Sequence, residues 1–430
     1  MMILIKNGRV IDPANNLDGE YDLLIEDNRI KDIQKKGTLQ KTQAEQVIDA
    51  KGKWVVPGLI DLHVHLREPG FEWKETISTG AKAAIAGGFT SICCMPNTSP
   101  VNDCAEVTKF ILEKAEQAKA ARVLPIGAVS VGRKGENMAP YSELFRAGCV
   151  AFSDDGSPIY NSALMRRALE WCLMLDARIH CHEEDTALSG KGSMNESPLS
   201  TKIGLRGWPT LAEEVMVARD IEMARYVKGK VHFCHISTAR SVELIRRAKN
   251  DGIDVTAEVT PHHLILTEEA VANYDTSAKM SPPLRTAEDL EAVRLGLLDG
   301  TIDAIASDHA PHEEDVKLVD FESAANGIIG LQSTLPLILE FVADGLLPLN
   351  KAIEALSSGP ARVLGRDCGS LGIDKEADIT IINPNHKWTY EKNMILSKSH
   401  NSPFFGRVMQ GCAETVLVGG KIVLSDGKFI

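Results

Sequence analysis

Through the middle of this chain, apolar runs that stop at polar residues recur. They are Gly58–His65, Ser91–Asn97, Val123–Ser130, Cys149–Asp155, Arg178–His182, Lys230–Ser237, Asp254–Pro261 and Ile302–Asp308. Each is close to continuously apolar, as a strand buried on both faces of a parallel sheet must be. Helical periodicity fills the intervals. Asn102 and Asp103 can cap a helix through Val107, Phe110 and Ile111, and Thr238 can cap one through Val242, Leu244 and Ile245 that stops near Gly252. A further amphipathic run, Glu213–Tyr226, precedes the sixth strand. Eight strand-then-helix units are the number that closes a (β/α)₈ barrel of the TIM type, an α/β fold.

The two ends are patterned differently. Met2–Ile5, Arg9–Ile11, Asp22–Glu26 and Arg29–Ile33 read as short strands, with turn signals at Lys6-Asn7-Gly8 and Asp27-Asn28. Ala377–Ile382, Glu414–Val418 and Lys421–Leu424 repeat the pattern, punctuated by Gly419-Gly420 and Asp426-Gly427. Such pairs between short alternating runs signal hairpins. The reading predicts a small β-sandwich formed from both ends, residues 1–56 and 366–430, around a barrel over residues 57–365.

Composition narrows the classes of function. With 44% apolar and 25% charged residues, the 430-residue chain has ordinary globular composition. A net charge of -12 argues against nucleic acid or an anionic membrane as partner. It also means that a small anionic substrate must be captured by local cations. The nine cysteines are scattered without CxxC spacing, and several lie in apolar runs, so they read as small core residues. No apolar run reaches membrane-spanning length and the N-terminus turns polar too early for a signal peptide, which makes the cytoplasm the expected compartment.

The strand ends carry the candidate chemistry. His63 and His65 are two apart, so on a strand they share a face, and in a barrel that face opens at the C-terminal end where active sites form. Taken alone, His-Val-His reads equally well as two hydrogen-bonded polar residues. The other ends shift the balance: Ser153-Asp154-Asp155-Gly156, His180-Cys181-His182-Glu183, His232-Phe233-Cys234-His235 and Ser307-Asp308-His309 close strands four, five, six and eight. Imidazoles with carboxylates suit zinc, manganese or a similar divalent ion in an open catalytic site.

These motifs, in this order, carry a family resemblance. PGLIDLHVHLREPG over residues 57–70 resembles the opening metal motif of the amidohydrolase superfamily in its dihydroorotase form. MPNT at 95–98, FSDDG at 152–156, TPHH at 260–263, SDHAPH at 307–312 and LGIDKEAD at 371–378 are similar to the same family, over essentially the whole chain. The resemblance implies one or two divalent ions per subunit, zinc first: His63, His65 and Asp308 on one, His182 and His235 on the other, Asp155 bridging. Hydantoinases and dihydropyrimidinases place a carboxylated lysine at the bridge. The fourth-strand tip here offers carboxylates instead, as in the long-chain, class I dihydroorotases. Asp154 has the opposite parity to Asp155, so only one of the pair can face a metal. His180 reads as deeper support, His232 as packed outside the barrel by parity with Cys234, and His262 and His263 as supporting residues.

The implied reaction is the reversible interconversion of L-dihydroorotate and N-carbamoyl-L-aspartate in pyrimidine biosynthesis. A hydroxide generated on the metal attacks the ring amide, and Asp308 is the catalytic proton shuttle, its alternative being a ligand alone. Arg67 can give a bidentate fork to the substrate carboxylate, a surface arginine being the other reading. Asn97, Ser281, His312, Asn326 and Gly327 complete the substrate-binding set. The family usually has asparagine where Ser281 stands and Pro-Phe where Ala325-Asn326 stand, so substrate fit is where this chain departs. The resemblance also implies a homodimer and association with aspartate transcarbamoylase. Competing readings are an allantoinase or hydantoinase, against which the missing bridge lysine counts, and a non-catalytic scaffold for the transcarbamoylase, which would be expected to have lost ligands.

Overall fold

A computed structural model of the chain describes residues 1–39 and 43–430. The N-terminal strands are β1 (Met2–Asp12), β2 (Leu17–Glu26), β3 (Arg29–Lys35), β4 (Gln46–Asp49) and β5 (Trp54–Pro57). Five barrel strands follow: β6 (Leu59–Val64), β7 (Phe89–Cys94), β8 (Arg122–Gly127), β9 (Ala151–Ser153) and β10 (Ile179–Cys181). A short outlying pair, β11 (Met194–Asn195) and β12 (Gly207–Trp208), precedes the last three, β13 (Val231–Phe233), β14 (Val255–Val259) and β15 (Ala304–Ile305). The chain ends in β16 (Ile379–Thr389), β17 (Val408–Val418), β18 (Lys421–Ser425) and β19 (Lys428–Phe429).

The eight barrel strands are ordered in sequence, every pairing parallel. The ring closes where Val64 bridges His309 and His65 N–H donates to the His309 carbonyl at 2.9 Å. Strands β6 and β7 are buried throughout, which is why Leu59-Ile60 and Ile92-Cys93-Cys94 are apolar at consecutive positions. One face supplies Leu62, Cys93, Ile126, Ala151 and Ala304 to the cluster that fills the barrel. The other supplies Val64, Ile92, Val123, Phe152 and Phe233 to the layer beneath the surrounding helices.

Strands from both ends join in one nine-stranded sheet, with β5 pairing β16 so that the termini meet. Its own core includes Ile3, Ile5, Leu23, Ile25, Val55, Ile379 and Leu417. Asp27-Asn28, Gly419-Gly420 and Asp426-Gly427 are hairpin turns as their residues predict. Lys6-Asn7-Gly8 is not: β1 runs straight through it, and Asn7, at φ +64°, makes a bulge where the register with β2 shifts. Gly8 is required there because a Cβ would press on Val55 at 2.6 Å.

Thr238 caps the helix Ala239–Asn250 by accepting from Ser241 N–H, as its position predicts. The predicted Asn102/Asp103 cap does not form. That helix starts at Ala105 after Cys104. Asn102 Nδ2 donates to the Ile126 carbonyl at 2.9 Å and Asp103 accepts from Gly132 N–H at 2.7 Å, so both side chains fasten loops at the barrel mouth. All nine cysteines are free, six of them buried. No helix among the described residues is long and apolar enough to cross a membrane.

Candidate metal centre

Six side chains from five strand ends converge at the C-terminal mouth of the barrel. His63 lies within β6 and His65 just past it. Asp155, His182, His235 and Asp308 follow β9, β10, β13 and β15. Asp155 sits between them. Its Oδ2 lies 3.3 Å from His63 Nε2 and 3.5 Å from His65 Nε2, while its Oδ1 lies 3.5 Å from His182 Nδ1 and 3.4 Å from His235 Nε2. Asp308 Oδ1 is 3.1 Å from His65 Nε2 and 3.6 Å from His63 Nε2, and His182 Nδ1 is 3.1 Å from His235 Nε2.

These spacings fit a metal. Donors bound tetrahedrally at about 2.0–2.1 Å sit roughly 3.3–3.4 Å apart along each edge. The observed separations, 3.1 to 3.6 Å, straddle that edge. His63 Nε2 is fully buried yet has no hydrogen-bond partner, which leaves its lone pair to a cation. The two oxygens of Asp155 face separate pairs of imidazoles, the arrangement a bridging carboxylate needs. The electrostatics agree: burial works against charge at His63, yet Asp155 and Asp308 raise it well above the usual histidine range. Burial likewise opposes charge at His182, but Asp155 and Glu184 raise it to about 10. Burial pushes Asp155 up, and His63, His182 and His235 nonetheless hold it well below the usual carboxylate range. A pocket that polarises imidazoles this way favours a divalent cation.

Asp154 points elsewhere, accepting from Val129 N–H at 2.9 Å and Ser130 N–H at 3.0 Å. His180 is fully buried below the donors, its ring 4.6 Å from that of His232. His232 corrects the parity reading: it faces into the barrel, with Nε2 3.0 Å from Glu258 Oε2, and Cys234 lies inward too, beside His63. The parity argument fails because His235 lies past the end of β13 at φ +35°, off the strand's alternation. His263 is engaged by Thr260 Oγ1 at 2.7 Å and the Pro282 carbonyl at 3.0 Å, and His262 is buried nearby.

Above the donors opens a cavity of about 420 Å³, lined by Arg67, Asn97, Ser281, His312, Asn326 and Gly327 together with His65, Asp155, His182, His235 and Asp308. Arg67, partly buried and at φ +63°, reaches the Pro311 carbonyl through Nε at 3.2 Å and His312 Nε2 through Nη2 at 3.4 Å. No carboxylate pairs with it among the described residues, and burial pushes its pKa down to about 10. A guanidinium held at a cavity mouth without a counter-ion is a site for an anion. Asn97 Oδ1 accepts a hydrogen bond from His65 Nδ1 at 3.1 Å, so it orients a candidate donor as well as lining the cavity. Burial, Arg67 and Lys74 keep His312 neutral.

The sequence reading missed several contributors. Arg133 donates to the Asp155 carbonyl at 2.6 Å and so fixes the backbone of Asp155. Glu184 meets His182 Nε2 at 3.2 Å. Asn401, from the C-terminal segment, accepts from His312 N–H and donates to the Ala310 and Gly327 carbonyls at 2.9–3.0 Å, pinning the loops around the cavity. Lys317 Nζ donates to the Thr276 and Ala325 carbonyls at 2.9 and 2.7 Å, and Lys279 Nζ to those of Glu322 and Ala324 at 2.9 and 2.7 Å, fastening the segment after His312. Gly190, Gly192 and Trp208 also line the cavity, beside Gly156 of the FSDDG motif and Met280 next to Ser281, both in segments already singled out. Only Glu258 left a signal, as a lone charge in an apolar strand.

Residues 52–241 match the family described as dihydro-orotase-like. The chain is 52% identical over 428 residues to the dihydroorotase of Syntrophotalea carbinolica, covering 99% of this chain and 100% of that one. It is 51% identical over 423 residues to the dihydroorotase of Geotalea daltonii, covering 98% and 99%. Among solved structures it is similar to the L-hydantoinase (dihydropyrimidinase) of Arthrobacter aurescens, with TM-score 0.89 at 23% identity over 100% of this chain and 97% of that one. The D-hydantoinase of a Thermus species aligns with TM-score 0.84 at 25% identity, over 100% and 96%.

Proposed function

The chain belongs to the dihydroorotase family, and from that premise we propose that it opens and closes the ring between L-dihydroorotate and N-carbamoyl-L-aspartate, as pyrimidine biosynthesis requires. The observation that carries this reading is Arg67: a cation without a paired carboxylate, in a cavity that five of the six candidate donors also line. The allantoinase and hydantoinase alternative is set aside, because relatives sharing about half of all positions are dihydroorotases and the fourth-strand tip offers Asp155 where those enzymes use lysine.

His63, His65 and Asp308 would hold one divalent ion and His182 and His235 a second, with Asp155 shared between them; zinc is the metal we assign. Such an ion, when bound, supplies Lewis-acid polarisation of the amide carbonyl and lowers the pKa of water to roughly 7. The chain's own residues do the rest. Arg67 and the Asn97 amide receive the substrate carboxylate, with His312 neutral beside them, and so set the ring over the donors. The Ser281 hydroxyl and the Asn326-Gly327 segment line the same cavity and would contact the ring. Asp308, at the cavity floor, takes the proton from the attacking water and delivers it to the leaving ring nitrogen. Ring closure uses the same groups in reverse. Trp208 and Met280 narrow the cavity around the substrate.

The test is turnover of dihydroorotate, hydantoin and allantoin before and after chelation, with metal analysis alongside. Zinc-dependent turnover of dihydroorotate alone is expected. Full activity in metal-free protein, or preference for hydantoin, would overturn the reading.

A further inference from the structure

Glu258 is the one charged side chain in β14 and is fully buried. Buried carboxylates are rare unless both oxygens are engaged, and here both are. Oε1 lies 2.8 Å from His63 Nδ1 and Oε2 3.0 Å from His232 Nε2. His232 in turn meets Thr256 Oγ1 through Nδ1 at 2.9 Å. A hydrogen-bonded path thus crosses the barrel interior, from β13 through β14 to β6, below the cavity and away from its lining.

The path determines which nitrogen of His63 carries a proton. A carboxylate accepts, so in the neutral ring that a metal ligand must be, Nδ1–H donates to Glu258 and Nε2 is the bare nitrogen, facing Asp155 Oδ2 at 3.3 Å. In the other tautomer Nε2 would carry the proton, and the ring would be unable to serve as a ligand on that side. The same bond fixes the ring plane and raises the basicity of Nε2. We propose that Glu258, braced by His232, is a positioning residue that sets the tautomer and orientation of His63 for the metal. Nothing in the substrate cavity touches it, so its effect on the reaction passes through His63. The inference rests on the metal reading of the site given above.

The experiment measures zinc affinity by competition with a chromophoric chelator, and thermal unfolding with and without zinc, for the parent, Glu258→Gln and His232→Gln. In Glu258→Gln the amide oxygen can accept from one imidazole, but its NH₂ then faces the other N–H, donor against donor. Zinc affinity is expected to fall about 10- to 100-fold, the range for outer partners of a ligating histidine. The donor clash lowers the metal-free melting temperature as well, so the readout is the increment that zinc adds: it should shrink in the variant, whereas a merely structural ion pair would lower both melting temperatures equally. His232→Gln keeps the carboxylate and should lose affinity severalfold less. Parent-like zinc affinity in Glu258→Gln, or equal losses of melting temperature with and without zinc, overturns the proposal. If Glu258→Gln does not fold, His232→Gln decides: weaker zinc binding at unchanged metal-free stability supports it, and parent affinity overturns it. A parent protein that binds no zinc would instead sink the metal reading itself.

Discussion

Replacing Arg67 by methionine keeps the length and apolar bulk of the side chain and removes its charge. In the structure its hydrogen bonds go only to the Pro311 carbonyl and neutral His312, so no ion pair is broken when it is replaced. The replacement leaves the carboxylate of dihydroorotate in a cavity whose other polar groups are weaker partners. Removing one member of a buried charge pair costs roughly 2–5 kcal/mol. Arg67 is partly exposed, which favours the lower part of that range, about 2–4 kcal/mol, or roughly 30- to 1,000-fold in kcat/KM. Most of it should appear in KM, since the carboxylate is remote from the bond that breaks. Dihydrouracil, which lacks the carboxylate, provides the control: its kcat/KM should change less than about threefold. Metal content should match the parent, because Arg67 touches none of the six donors. Parent-like turnover of dihydroorotate would show that Arg67 does not bind the carboxylate. Equal losses on both substrates would show that the substitution had disturbed the site rather than one contact.

Three further outcomes are expected. Asp308→Asn retains an oxygen donor but cannot accept a proton, so turnover per bound metal should fall about 10²-fold or more, whereas in His182→Asn activity should track the metal lost and return with excess ion; recovery of Asp308→Asn in saturating metal would reduce Asp308 to a ligand. Chelation should abolish activity and lower the melting temperature, and restoring zinc at a thousandfold excess over Kd should return about 4 kcal/mol of stability, an effect that His63→Ala with His65→Ala should lose at least in part. Gly70→Ala places a Cβ on the Ser99 carbonyl oxygen at φ +97°; urea unfolding should show a loss of at least about 1–3 kcal/mol, with KM for dihydroorotate rising because the turn carrying Arg67 shifts.

Much of this was legible because barrel strands end where their chemistry begins. Apolar runs terminating in His63-Val64-His65, Asp154-Asp155 or Ser307-Asp308 encode both the fold and the place of each donor. Parity reasoning met mixed success around the strand ends. It separated Asp155 from Asp154 but sent His232 outward, because it assumed that β13 ran on to His235. Asn7-Gly8 looked like a turn since bulge and hairpin draw on the same residues, and only the partner strand distinguishes them. Asn102 and Asp103 looked like caps, but partners distant in sequence, Ile126 and Gly132, captured their side chains. Arg133, Asn401 and Lys317 were invisible for a related reason. Each acts on backbone carbonyls brought near by the fold, and no local spacing announces such a contact.

The failure of parity points to how the site is built. Arg67, His235 and Asp308 occupy left-handed backbone, at φ +63°, +35° and +43°. For residues other than glycine this costs about 1–3 kcal/mol each, and such strain persists only where the surroundings enforce it. The enforcement is visible. Asp61, fully buried, accepts from His63 N–H at 3.0 Å and Ser307 N–H at 3.1 Å, tying the first strand to the turn that presents Asp308. Glu213 accepts from Ser237 N–H and Thr238 N–H, each at 3.2 Å, directly after His235. Arg67 is held through the Pro311 carbonyl. Extended backbone would send alternate side chains to opposite faces and leave neighbouring strand ends unable to aim at one point. Turning the chain left-handed at these residues swings their side chains over the barrel axis, and buried carboxylates hold two of the three turns. The barrel's large apolar core makes that strain sustainable, so the same fold that spaces the donors also stabilises the irregular backbone needed to aim them.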